Sequence, residues 1–169
     1  MKNHRISGLL IIGLLLIPGF VGAEEADSHP YMKMSSHYEA IRLALLGDSI
    51  QGVAEHGKAI QDLAAGLLED FEAAKTGVPE VEVAVLEAAL LEIESAASNL
   101  STADGLASAR EDLFVLTGPM ARYRKLRDDQ STVVAYCPMA QKAWIQPEGE
   151  IGNPYLGQEM PKCGEMVGE

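Results

Sequence analysis

Between Ile50 and Phe71 the apolar residues recur at steps of three and four, and this one spacing limits the chain more than any other feature. Ile50, Val53, Ala54, Ile60, Ala64, Leu67, Leu68 and Phe71 fall on one side of a helix of 3.6 residues per turn, with charged residues between them. A strand cannot bury such a set, because its side chains alternate every second residue. A second stretch repeats the pattern. Pro79 suits a first helical turn, where its missing N–H costs nothing, and Val81, Val85, Ala88, Leu91 and Ala96 continue to about Asn99. Ser101 and Asp104 reopen the chain as a helix carrying Leu106, Leu113, Phe114, Met120 and Leu126, with a bend expected at Gly118-Pro119. Upstream, Ser36-His37-Tyr38-Glu39 has the form of a capping box, and Ile41, Leu45 and Leu46 follow on one face. Gly47-Asp48-Ser49 then ends that helix and caps the next.

Four amphipathic helices joined by short turns predict an all-α fold, an antiparallel four-helix bundle over residues 36–130. After Gln130 the texture changes. Val133-Val134-Ala135-Tyr136 is β-prone and Pro and Gly become frequent, so residues 131–169 read as a small irregular or β cap of the same domain.

The N-terminus sets the compartment. Lys2 and Arg5 precede an apolar run from Leu9 to Ile17, and Val21-Gly22-Ala23 supplies small residues for cleavage, so residues 1–23 read as a secretory signal peptide. The run is too short to span a bilayer, and nothing later is apolar enough, so no membrane span is expected. Residues 24–35 are polar, carry Pro30 and show no periodicity, which predicts a flexible leader. The remaining chain of about 145 residues suits one domain. Cleavage removes two of the 13 Lys and Arg and none of the 25 Asp and Glu, leaving a formal charge of −14 that disfavours nucleic acid and anionic membrane as partners.

The chemistry concentrates in the cap. Cys137-Pro138-Met139 at one end and Met160-Pro161-Lys162-Cys163 at the other each offer one thiol and one thioether. Soft sulfur donors select copper(I) or silver(I) over hard cations, and two Cys with one or two Met fill a low-coordinate site. Two cysteines in an exported protein equally suit a disulfide. Closure of Cys137 with Cys163 spans about 27 residues and stabilises the cap by roughly 3 kcal/mol in the chain-entropy picture. Both readings stay open, as does a pair that is oxidised when empty and metal-bound when reduced. A weaker ligand set, His29, Met32, Met34 and His37, could act as a mobile metal-passing arm or be incidental. His56 borders the apolar face of its helix and reads as a boundary residue. Trp144, Tyr136 and Tyr155 are expected to pack the cap onto the helices.

Enzyme templates fit poorly. There is no Glu-x-x-His pair, no Cys-x-x-Cys-His, no Cys-x-x-Cys and no Gly-rich phosphate loop, while Glu92 with Glu94 and Asp128 with Asp129 read as solvated charge. A binding module is expected, not a catalyst.

Tyr136-Cys137-Pro138-Met139, Trp144-Ile145, Asn153-Pro154-Tyr155-Leu156-Gly157, Met160 and Cys163-Gly164 together resemble the signature of an uncharacterised family of periplasmic helical domains. That family occurs alone or at the C-terminus of the membrane-fusion adaptors of Cus-type copper/silver efflux systems. The resemblance extends over the helices from Tyr38, with Ala44-Leu45 and the Asp48 turn. It implies a periplasmic helical bundle used in heavy-metal handling, with Cys137, Met139, Met160 and Cys163 as the matching positions and an efflux adaptor or another periplasmic copper protein as partner. An adaptor also needs a barrel, a lipoyl-like domain and a long hairpin, so a free metal carrier or regulator is expected. Pro161 and Lys162 depart from the pattern, which has an apolar residue first after Met160.

Overall fold

A computed structural model describes residues 29–74 and 78–167. The expected signal peptide (1–23), the first part of the expected leader and the expected helix end at Thr76-Gly77 lie outside the described residues. Four long helices come first: α1 (Pro30–Leu46), α2 (Val53–Glu69), α4 (Val83–Ser101) and α5 (Leu106–Leu126), with a single helical turn, α3 (Phe71–Ala74), after α2. A 3₁₀ turn (Glu80–Glu82) leads into α4. The chain then forms β1 (Thr132–Cys137), β2 (Lys142–Pro147) and β3 (Glu165–Val167), an antiparallel sheet in the order β2-β1-β3. Helix α2 packs on α4, α4 on α5, and α1 on both α2 and α5. Among the described residues no helix is long and apolar enough to cross a membrane.

The leader expected over 24–35 is corrected from Pro30 onward, because α1 begins there. Pro30 occupies the first turn, where its fixed φ suits the helix, and the His29 ring accepts a hydrogen bond from the Tyr31 N–H through Nδ1 (3.2 Å). Tyr31, Met34, Tyr38, Ile41 and Leu45, at steps of three and four, are all fully buried. That stripe holds the segment helical despite its polar surroundings. The Ser36–Glu39 capping box therefore falls inside a helix, and Glu39 instead pairs with Arg42. Gly47 ends α1 as expected, but Gly52 rather than Ser49 precedes α2.

The period of α4 is as expected and its phase is not. Leu86, Ala89, Leu90, Ile93, Ala97 and Leu100 face the core, while Val81, Val85 and Leu91 are exposed. The segment VAVLEAALLEIESAAS is apolar on most of its circumference, so periodicity alone leaves its orientation open. Helix α5 continues through Pro119 to Leu126, burying Leu113, Leu116, Met120 and Tyr123.

The sheet lies against α1 and α5. One chain of hydrogen bonds crosses this junction: the Ile145 N–H of β2 donates to the Tyr38 hydroxyl (3.2 Å), which donates to Thr117 Oγ1 (2.6 Å), whose own proton goes to the Leu113 carbonyl (2.8 Å). All are buried. Replacing Tyr38 by Phe keeps the ring and orphans the Ile145 N–H, so it should destabilise the protein by about 1–3 kcal/mol. Urea unfolding checks this, and an unchanged midpoint would contradict the role given to the hydroxyl.

Candidate functional site

Two arms of the cap carry the cysteines to one place. Strand β1 pairs with β2 in the register Cys137↔Lys142, leaving residues 138–141 as the connecting turn. Ala135 and Cys137 share the inward face and are fully buried. The other arm is organised by Asn153, itself fully buried. Its Oδ1 accepts the N–H groups of Tyr155 (2.8 Å) and Leu156 (3.0 Å), its Nδ2 donates to the Cys163 carbonyl (2.7 Å), and its backbone N–H donates to the Pro161 carbonyl (2.8 Å). A side-chain amide thus makes the turn and ties Cys163 to it. Strand β3 then pairs with β1 through Tyr136↔Glu165 and brings Cys163 beside Cys137. Between them Gly164 has φ +141, and a Cβ there would sit 2.6 Å from the Trp144 ring, so the close approach of β3 needs glycine.

Trp144 lies beneath this junction, fully buried, with its Nε1–H donating to Gln146 Oε1 (2.8 Å) and its ring edge-on to Tyr155 (6.1 Å). Both aromatics pack the cap as expected, whereas Tyr136 is only half-buried.

The Sγ atoms of Cys137 and Cys163 are 2.8 Å apart. That is wider than a disulfide bond of about 2.05 Å. With metal–sulfur bonds of about 2.3 Å, two thiolates on one ion sit roughly 4 Å apart, so a bound ion requires the sulfurs to separate by about 1 Å. The donor set suits a soft ion once they do.

The pair is electrostatically asymmetric. Burial disfavours ionisation of Cys137, yet hydrogen bonds from the Cys163 thiol, the Ala140 and Met139 N–H groups and the Asn153 side chain outweigh it and hold its pKa below the ordinary thiol value. Cys163 is pushed up, first by its hydrogen bond to Cys137, then by burial and by the neighbouring charge. Of the two thiols Cys137 is therefore the more acidic, and Cys163 the one that keeps its proton longer.

Met139 lies in the turn after Cys137 and Met160 just before the turn that ends at Cys163, whose N–H donates to the Met160 carbonyl (3.1 Å). Their side chains are 65% and 37% exposed. Core filling, the usual work of methionine, does not account for either. Among the described residues no three His, Cys, Asp or Glu converge on one point, so an ion here would depend on two thiolates supplemented by thioether.

The weaker set is not a mobile arm. His29 caps α1, Met32 accepts a hydrogen bond from Ser131 (3.5 Å), Met34 is fully buried in the core, and His37 is on α1. Helix formation from Pro30 buries Met34 and engages His29 and Met32 with other partners. His37 instead meets His56 of α2, with the two Nδ1 atoms 2.9 Å apart. Nothing in the sequence marked that pair, since the two residues lie on different helices and their meeting depends on interhelical register.

No family profile, curated protein or solved structure matches the chain.

Titration of the reduced protein, followed by thiolate ultraviolet absorbance, should resolve two steps on either side of the ordinary thiol value of about 8.5. In Cys163→Ala the remaining step should move upward, because Cys137 loses a donor. A single two-proton step at the ordinary value would contradict the asymmetry.

Proposed function

We propose that this chain is an exported, periplasmic soft-metal-binding protein of heavy-metal efflux or tolerance, holding copper(I) or silver(I) through Cys137 and Cys163 with Met139 and Met160 as supporting thioethers. The observation that carries the reading is the combination of two juxtaposed thiols with two solvent-exposed methionines on the flanking turns. Thiolate and thioether are the donors that prefer a monovalent d¹⁰ ion, and a thiol already inclined to ionise lowers the proton cost of binding. Exposed thioethers suit transfer, since a partner can replace one ligand at a time. The partner would be an efflux adaptor or another periplasmic copper protein, in line with the resemblance of the Cys-Pro-Met and Asn-Pro-Tyr segments. The four helices, in this reading, form an antiparallel bundle that acts as a rigid mount. The chain binds and does not catalyse.

A second reading is favoured by the 2.8 Å sulfur separation, closer than an ion-bearing pair. Here the cysteines form a disulfide that staples the cap, and the helices dock on an envelope partner, with Val85 and Leu91 of α4 among the exposed apolar groups available. The two readings join if oxidation of the pair, releasing two electrons and two protons to a thiol–disulfide exchange partner, switches metal binding off.

Copper(I) offered to the reduced mature protein in competition with a colorimetric chelator should bind tightly at one ion per chain. Binding should be lost in Cys137→Ser and Cys163→Ser. The double change Met139→Leu with Met160→Leu, which keeps volume and removes the donors, should weaken it about tenfold or more. Failure to compete, with both thiols found blocked in protein taken from the export compartment, would leave the disulfide reading.

A further inference from the structure

Away from the thiols, α1 and α2 bring two imidazoles together. His37 and His56 have Nδ1 atoms 2.9 Å apart, ring centroids 5.2 Å apart and planes inclined at 41°. Both rings are half-buried, and both stand on helices anchored by core residues next to them, Tyr38 after His37 and Ile60 one turn beyond His56. The spacing has a coordination meaning. With metal–nitrogen bonds of about 2.0–2.1 Å, two ligands at right angles on one ion sit roughly 2.9 Å apart. A tetrahedral ion would need them somewhat wider. Right-angled nitrogen ligands belong to the tetragonal preference of copper(II) and nickel(II).

The surroundings agree with a ligand. His37 is held below the ordinary imidazole pKa, first by burial and then by His56, with Glu55 acting the other way, which favours the neutral, metal-binding form of that ring. A groove of about 450 Å³ opens beside His37 between the two helices, lined by Lys33, Ser36, Ala59, Asp62 and Leu63. It gives an ion access and room for the water molecules that complete its coordination. In the metal-free pair one ring must donate its Nδ1–H to the other. Binding requires only that this proton move to the same ring's Nε2, a tautomeric change with no net charge on the protein.

We propose that His37 and His56 form a second metal site, specific for a divalent tetragonal ion of the copper(II) type, held by the two Nδ1 atoms at right angles and completed by water. The site is independent of the thiols and differs from them in the charge and softness of the ion it takes. A chain with both would accept copper in either oxidation state at separate places.

The test uses the full mature chain with its cysteines closed as the disulfide, so that copper(II) meets no thiol, and equimolar copper(II) with electron paramagnetic resonance as the readout. The expected spectrum is tetragonal with hyperfine structure from two imidazole nitrogens. His37→Gln and His56→Gln should each reduce this to one nitrogen and weaken binding roughly tenfold or more. His29→Gln should change nothing. Far-ultraviolet circular dichroism confirms that each variant stays folded. A two-nitrogen spectrum that survives either His37→Gln or His56→Gln, or one that disappears with His29→Gln, would overturn the assignment, as would the absence of nitrogen coordination in the parent chain.

Discussion

The cap depends on hydrogen-bond donors lent to it by the helices. The strands make up less than half of the cap, so much of its backbone must find partners outside the sheet. Arg42 of α1 donates to the Gly152 carbonyl (2.6 Å), Arg110 of α5 to the Pro154 carbonyl (2.7 Å) and Arg124 of α5 to the Thr132 carbonyl (2.9 Å). Arg42 is almost fully buried and is neutralised by two bonds to Glu39, both 2.6 Å, while Arg110 is held by Asp48 at 2.6 Å. A buried guanidinium without its carboxylate would cost several kcal/mol, so Arg42 and Glu39 act as a unit. Gly157, at φ +52, rests against Asp48 and Arg110 where any Cβ would collide, and Gln158 reaches the Leu46 carbonyl (2.8 Å).

These clamps fall on the segment that carries Asn153. Arg42 and Arg110 hold the residues on either side of it, and Asn153 in turn holds the Cys163 carbonyl. The separation of the two sulfurs is thus set by a chain of polar contacts that begins on α1 and α5 and ends at the thiol. Cys137 arrives by a different route, at the end of a strand pinned by sheet register. Placing two reactive groups on separately anchored elements makes their approach a property of the whole fold, and it leaves the methionine-bearing turns outside, in contact with solvent.

Much of the helical part was legible because burial imposes its period on the sequence. Most of the α2 stripe and the β-prone run of β1 could be read directly, although Ile50 precedes α2 and both Ile50 and Ala54 are exposed. Other features could not. The start of α1 was hidden because its core positions are Tyr31, Met34 and Tyr38, spaced among polar residues that resemble a leader. The buried face of α4 was ambiguous because nearly every side of that helix is apolar. Arg42, Arg110 and Arg124 look like ordinary charged positions on a helix surface, and only the tertiary fold reveals that they donate to the cap. The Cys137–Cys163 juxtaposition was expected from the sequence, which offered the two cysteines either as a disulfide or as paired ligands. The acidity difference between them was not, since it arises from the hydrogen bond between the two thiols and from Ala140, Met139 and Asn153 placed by folding. The pairing of His37 with His56 likewise exists only in three dimensions.

X-ray absorption at the copper edge of the reduced protein loaded with equimolar copper(I) tests the central claim most directly. The account predicts a shell made only of sulfur, with more than two sulfur neighbours in the parent chain and two in the variant lacking both Met139 and Met160. A shell containing nitrogen or oxygen, or a sulfur shell that is unchanged in that variant, would contradict it.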